Sequence, residues 1–133
     1  MTTIAYSATD RPTADETIAL LTAGGFNRPL DDSERVDRML DNADIIITAR
    51  DGDTLAGMVR GLADYACYAL VTELCVAAPY KRTGIGRELL RRFREEAGDQ
   101  CAIILHSSEE GHEFYGRLGW DLLTRAWRLP RAR

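Results

Sequence analysis

The chain is poor in the residues that staple or metallate a fold. Its 133 residues hold three cysteines (Cys67, Cys75 and Cys101) and two histidines (His106 and His112), with no CxxC pair and no zinc-ligand spacing. A disulfide framework and a zinc module are therefore disfavoured, and the expectation is three buried, reduced thiols and no metal. No apolar run is long enough to cross a bilayer. The first residues, MTTIAYSATDRP, lack the basic start and apolar stretch of a secretory signal. A cytoplasmic location without a membrane partner is expected. Internal repeats and low-complexity linkers are also missing, so residues 1–133 read as one compact unit. The net charge of −4 argues against a nucleic-acid partner.

What is present is ordinary for a globular α/β chain, with 45% hydrophobic and 29% charged residues. The charge is unevenly spread. Residues 1–68 carry 12 acidic and 6 basic side chains, whereas residues 69–133 carry 9 acidic and 11 basic. The C-terminal half suits an anionic ligand and the N-terminal half a cationic one, although solvated faces give the same counts by chance.

Local patterns predict the elements. Ile4 to Ser7 reads as a short strand. Thr13 and Glu16 have capping-box spacing ahead of a helix that Gly24-Gly25 stops. Asp31 or Asp32 opens a second helix with Val36, Met39 and Leu40 on one stripe. Ile45 to Ala49 is strand-like, Asp51-Gly52-Asp53 is a turn, and Thr54 to Leu62 returns. A third strand covers Tyr68 to Val76 and stops before Pro79. Gly84 to Ala97 places Ile85, Leu89, Leu90, Phe93 and Ala97 on one helical face. Cys101 to Leu105 is almost wholly apolar, as in a strand covered on both faces. Glu110 to Leu118 reads as a short helix, and Trp120 to Leu129 as one or two closing strands. The order β-α-α-β-β-β-α-β-α-β describes helices packed on a mixed sheet.

The chemistry concentrates where the third strand meets the next helix. Glu73-Leu74-Cys75-Val76 leads through a basic, glycine-bearing turn, Lys81-Arg82-Thr83-Gly84-Ile85-Gly86-Arg87, into the helix. A helix start carries free amides and partial positive charge, and glycines let an anion approach the backbone. That describes a pyrophosphate cradle. A Walker loop is disfavoured because Gly86 is followed by Arg87-Glu88 rather than Lys and Ser or Thr. The dinucleotide fingerprint lacks its third glycine, since Leu89 stands there. A plain strand-to-helix turn accounts for the two glycines equally well.

The same stretch resembles the acetyl-CoA-binding motif of the GNAT acetyltransferases, Q/R-x-x-G-x-G/A after a strand ending Leu-x-Val. Lys81 replaces the usual Gln or Arg. Downstream, Glu113-Phe114-Tyr115-Gly116-Arg117-Leu118-Gly119-Trp120 is similar to that family's A-x-x-F-Y-x-x-x-G-F element, without the alanine and with Trp for Phe. The resemblance implies the GNAT acyl-CoA N-acyltransferase fold, with a mixed sheet of about six to seven strands flanked by four helices. It also implies acetyl-CoA as donor and direct transfer to a primary amine in a ternary complex. Leu74, Cys75, Val76, Lys81, Arg82, Thr83, Gly84, Ile85, Gly86 and Arg87 would then hold the donor, with the Val76 amide facing the acetyl carbonyl. Tyr115 would be the general acid for the departing thiolate. Glu73, on the strand entering the site, is the first candidate for general base and His106 the second.

The acceptor is open: a small-molecule amine, or a protein N-terminus or lysine. Phe26, Asn27, Arg28, Asp64, Tyr65, Tyr68 and Trp127 are candidates to line its pocket, and Ser108 stands near a position at which the family often touches the donor. A homodimer fits the resemblance. Two other readings remain: a module that senses acetyl-CoA without turnover, and an acidic interaction domain whose glycines are incidental.

Overall fold

Thr13 accepts from the Glu16 amide while Glu16 reaches back to the Thr13 amide, and this reciprocal cap starts α1 (Ala14–Ala23). Asp32 caps α2 (Ser33–Asp41) by accepting from the Arg35 amide. The structure is a computed structural model that describes residues 3–133. Before α1 runs β1 (Ala5–Ser7), and after α2 come β2 (Ile45–Asp51), β3 (Thr54–Ala63) and β4 (Tyr68–Val76). A single 3-10 turn at Ala78–Tyr80 leads to α3 (Ile85–Ala97), β5 (Ala102–Leu105) and α4 (His112–Arg117).

The five strands form one sheet in the order β1-β2-β3-β4-β5. The first four are antiparallel neighbours, and β5 lies parallel to β4 after the α3 crossover. Helices cover both faces. On one, Leu20, Leu21, Val36 and Leu40 pack against Leu55, Met58 and Cys75. On the other, Ile85, Leu89, Leu90, Phe93 and Ala97 pack against Ile45, Ile47, Val59 and Val71. Phe93 is fully buried because β3 carries Gly61 beneath it: a Cβ there would overlap both the Phe93 ring and the Leu70 carbonyl.

Three expectations change. The sheet has five strands rather than six or seven, because Trp120 to Leu129 forms no ladder among the described residues and is broken by a turn at 124–125. β5 is therefore an edge strand, and Ile103, Ile104 and Leu105 are only partly buried instead of covered on both faces. Cys75 and Cys101 are buried as expected, but Cys67 is exposed in the loop before β4. All three are free thiols. No helix among the described residues is long and apolar enough to cross a membrane.

Candidate active site

β4 and β5 part company. Their pairing ends at Val71 and Leu105, whereas β4 continues to Val76. A bulge marks the point of departure: Val71 faces Gly61 and Glu73 faces Arg60, so Thr72 is the extra residue on β4. Beyond it, the Ala77 amide donates to the Ala56 carbonyl at 2.8 Å. Residues along an antiparallel pair alternate between exchanging both main-chain bonds and exchanging none. Leu74 and Val76, opposite Val59 and Gly57, therefore turn their N–H and C=O groups away from β3, toward the side that β5 has left. The expected role of Leu74 and Val76 as main-chain partners is geometrically open. That of Cys75 is not: its amide belongs to the β3 ladder opposite Met58, and its thiol is buried beside the Leu20 carbonyl. Burial pushes that thiol up to about 11.

The basic turn sits at the tip of the same strand. Lys81, Arg82, Thr83 and Arg87 are exposed, and Ile85 is buried in the core beneath them, so Ile85 offers only its amide. Two residues of the turn adopt the left-handed region, Arg82 at φ 64° and Gly84 at φ 90°. Thr83 Oγ1 donates to the Tyr80 carbonyl at 2.5 Å, fixing the turn. No side chain caps α3, and the Glu88 amide is the first to bond back, to Gly84. The amides of Ile85, Gly86 and Arg87 thus stay available to an anion. Lys81 lies 3.6 Å from Glu110 in an exposed pair.

Gly86 joins this cradle to the strand tip. A Cβ there would meet Phe114 at 3.6 Å, Val76 at 3.8 Å and Leu74 at 4.0 Å. Phe114 in turn packs edge-on against Tyr115, with ring centroids 5.1 Å apart, and Tyr115 lies 5.4 Å from Trp120. The fold therefore gathers the two sequence motifs around the end of β4. Tyr115 is half-buried, and burial alone pushes its phenol up to about 12, so it is held in the proton-bearing form.

Glu73 has a different environment from the one a proton acceptor needs. Its carboxylate is fully buried, with Oε1 accepting from Arg60 Nε at 2.6 Å and Oε2 from Arg60 Nη2 at 2.9 Å and Arg28 Nε at 2.5 Å. Burial would raise this group, but the hydrogen bonds and charges of Arg60 and Arg28 outweigh it and leave the carboxyl below its ordinary value. A carboxylate engaged by two guanidinium groups is a weak base, and this corrects its expected role. Arg60 escaped the sequence reading, yet a signal existed: one arginine and one glutamate, each inside an otherwise apolar strand, invite pairing.

The acceptor candidates scatter. Arg28 reaches Glu73, and the Asn27 carbonyl accepts from Arg28 and Arg131. Asp64, Tyr65 and Tyr68 instead lie at the opposite end of β4, roughly 25 Å from Val76 at strand spacing. There Asp64 accepts the amides of Ala66, Cys67 and Tyr68, a loop-closing task. A shallow depression at that end is lined by Leu62, Tyr68, Leu70 and Ile104, away from both motifs. Trp127 is 95% exposed. His106 is exposed just after β5, and Ser108 Oγ accepts from the Gly111 amide at 3.0 Å. Among the described residues, no group of three or more His, Cys, Asp or Glu side chains is placed to hold a metal.

The sequence and the fold both match known proteins. The acetyltransferase (GNAT) domain family matches residues 21–126. A candidate acetyltransferase of solved structure from Deinococcus radiodurans R1 is 30% identical, with TM-score 0.75 over 98% of this chain and 94% of its own. A Staphylococcus aureus protein, a candidate acetyltransferase of unknown function, shares 18% identity and TM-score 0.82 over 98% and 99% of the two chains. A GNAT-family acetyltransferase from Streptococcus pneumoniae shares 23% identity and TM-score 0.73, covering 100% and 98%. No curated protein matches the sequence.

Proposed function

The chain belongs to the GNAT acetyltransferase family, and from that premise we propose that it transfers the acetyl group of acetyl-CoA to a primary amine, directly, in a ternary complex. The observation that carries this reading is the parting of β4 from β5 beside the uncapped start of α3. The residues present fit the donor. The amides of Ile85, Gly86 and Arg87 take its pyrophosphate, and Lys81, Arg82 and Arg87 add charge around it. Leu74 and Val76 offer unpaired main-chain groups to its pantetheine arm, as a neighbouring strand would. The Val76 amide is the donor nearest the strand tip and stabilises negative charge developing on the acetyl oxygen.

Tyr115 supplies a proton, or a hydrogen bond, to the departing thiolate. A phenol held near 12 stays protonated through the physiological range, so it keeps an O–H to donate to the thiolate as a hydrogen bond, while burial makes it a weaker proton donor than a free phenol. The Glu73 carboxylate is committed to Arg60 and Arg28. The amine therefore attacks as its free base or releases its proton to water at the site. The acceptor is a small-molecule or protein amine, and a cytoplasmic location suits both it and the free thiols.

Thiol release from acetyl-CoA across a panel of amines, with wild type beside Tyr115→Phe, tests the proposal. Release with one amine class, reduced in the variant, supports it. Saturable acetyl-CoA binding without release from any amine replaces it with donor sensing. Absence of both removes it.

A further inference from the structure

The α1–α2 loop sends one side chain to the place where the sheet opens. Arg28 Nη2 donates to the Thr72 carbonyl at 2.6 Å, Nε to Glu73 at 2.5 Å, and Nη1 to its own neighbour's carbonyl, Asn27, at 2.9 Å. Neutralising Glu73 does not explain this placement. Arg60 already contacts both carboxylate oxygens, and it is tied to α2 through the Met39 carbonyl at 3.3 Å. What Arg28 adds is the bond to Thr72. That residue follows Val71, the last one paired with β5, and continuing the parallel register would bring it opposite His106. A half-buried strand carbonyl favours a partner, and a guanidinium takes the place that a lengthening ladder would fill.

We propose that Arg28 is a positioning residue: by capping the Thr72 carbonyl in place of β5, it holds the end of β4 apart from β5 and sets the slot in which the donor's arm pairs. The chain of contacts is continuous. The α2 carbonyl of Met39 holds Arg60, Arg60 holds Glu73, Glu73 orients Arg28, and Arg28 holds Thr72. Thr72 closes the circuit, since its hydroxyl donates to the Arg60 carbonyl at 2.9 Å. The α1–α2 layer is thereby coupled to the end of β4. The slot's assignment to acetyl-CoA rests on the function proposed above, whereas the capping of β4 does not.

The experiment compares the full chain with Arg28→Met and Arg28→Lys. Amide exchange by mass spectrometry reads the segment 72–76, and calorimetry reads acetyl-CoA affinity. Arg28→Met is expected to exchange at least about tenfold faster at the ladder-bonded amides of 72–76, those of Glu73 and Cys75, with the β2–β3 amides unchanged, and to bind acetyl-CoA at least about tenfold more weakly. Arg28→Lys, which keeps one charged donor, recovers part of both. In the enzyme, the KM for acetyl-CoA rises while kcat and the amine KM stay within about twofold. Unchanged exchange at 72–76 in Arg28→Met overturns the inference. If Arg28→Met does not fold, Arg28→Lys decides: faster exchange confined to 72–76 supports the capping role, and a wild-type pattern removes it. Should wild type itself fail to bind acetyl-CoA, the donor reading falls and the exchange measurement still settles Arg28.

Discussion

Arg60 and Glu73 face each other across β3 and β4 and form a two-point ion pair, Nε to Oε1 at 2.6 Å and Nη2 to Oε2 at 2.9 Å, with the Glu73 side chain wholly buried. The pair adjoins the bulged Thr72, the residue before Glu73 on β4, where the sheet begins to open. Burying charge in this manner is tolerable only while every partner stays in place. Glu73→Ala leaves two arginines facing one another without their counter-ion, and it should lower stability by about 3–5 kcal/mol. Denaturant unfolding checks this, and a loss below about 1 kcal/mol would show that solvent reaches the cluster.

Tyr115→Phe should lower kcat by about a hundredfold, the scale of a general acid, with acetyl-CoA affinity unchanged. The pH profile carries a sign. Because burial raises the phenol to about 12, its ionisation removes no activity below about pH 10, and the alkaline limb attributable to Tyr115 lies above its ordinary value. A limb centred near 9 that vanishes in Tyr115→Phe would contradict the burial seen here.

At Gly84, φ is 90°, a conformation that costs a β-branched residue heavily, and the amides that follow form the proposed phosphate cradle. Gly84→Val should weaken acetyl-CoA binding by at least about tenfold in calorimetry. Gly86 differs, because a Cβ would make only ordinary contacts with Phe114, Val76 and Leu74. Gly86→Ala is expected to fold normally, whereas Gly86→Val drives methyl groups toward the strand tip and also impairs binding. Wild-type affinity in both valine variants would move the phosphate site elsewhere.

Gly61→Ala tests packing alone. Its Cβ would overlap the Phe93 ring and the Leu70 carbonyl, so β3 or α3 must shift, at a cost of about 1–3 kcal/mol. Thermal unfolding reads the loss, and an unchanged Tm would mean that α3 sits farther from the sheet.

Acid should loosen the first helix. Glu16 is lowered to about 2, first by its hydrogen bonds with Arg50 and then by the Thr13 amide of the capping box. A carboxyl depressed in the folded state stabilises above its unfolded value and loses that contribution as pH falls toward the folded one. Tm should therefore decline between about pH 4.5 and 2, and the decline should be shallower in Glu16→Gln. Glu16 is partly exposed, so the effect is modest and shrinks with salt.

The sequence by itself determined what short-range chemistry controls. The Thr13–Glu16 cap, the turn at Gly52, the apolar face of α3 and its stop at Gly98 all depend on groups a few residues apart, and each stands as read. The two motifs around Gly84-Ile85-Gly86 and Phe114-Tyr115 were equally legible, because their meaning lies in residue type and spacing. Tertiary structure alone decided the state of Glu73. Its partners Arg60 and Arg28 are 13 and 45 residues away in sequence, and only strand register and loop path show whether a carboxylate is a free base or an occupied counter-ion. It likewise decided which β4 amides face the opening, since the Thr72 bulge shifts the register by one residue and the alternation past it follows from the ladder. The uncovered outer edge of β5 was hidden for the same reason: an apolar run records the tendency to be buried, while its coverage depends on whether a distant segment comes to lie beside it.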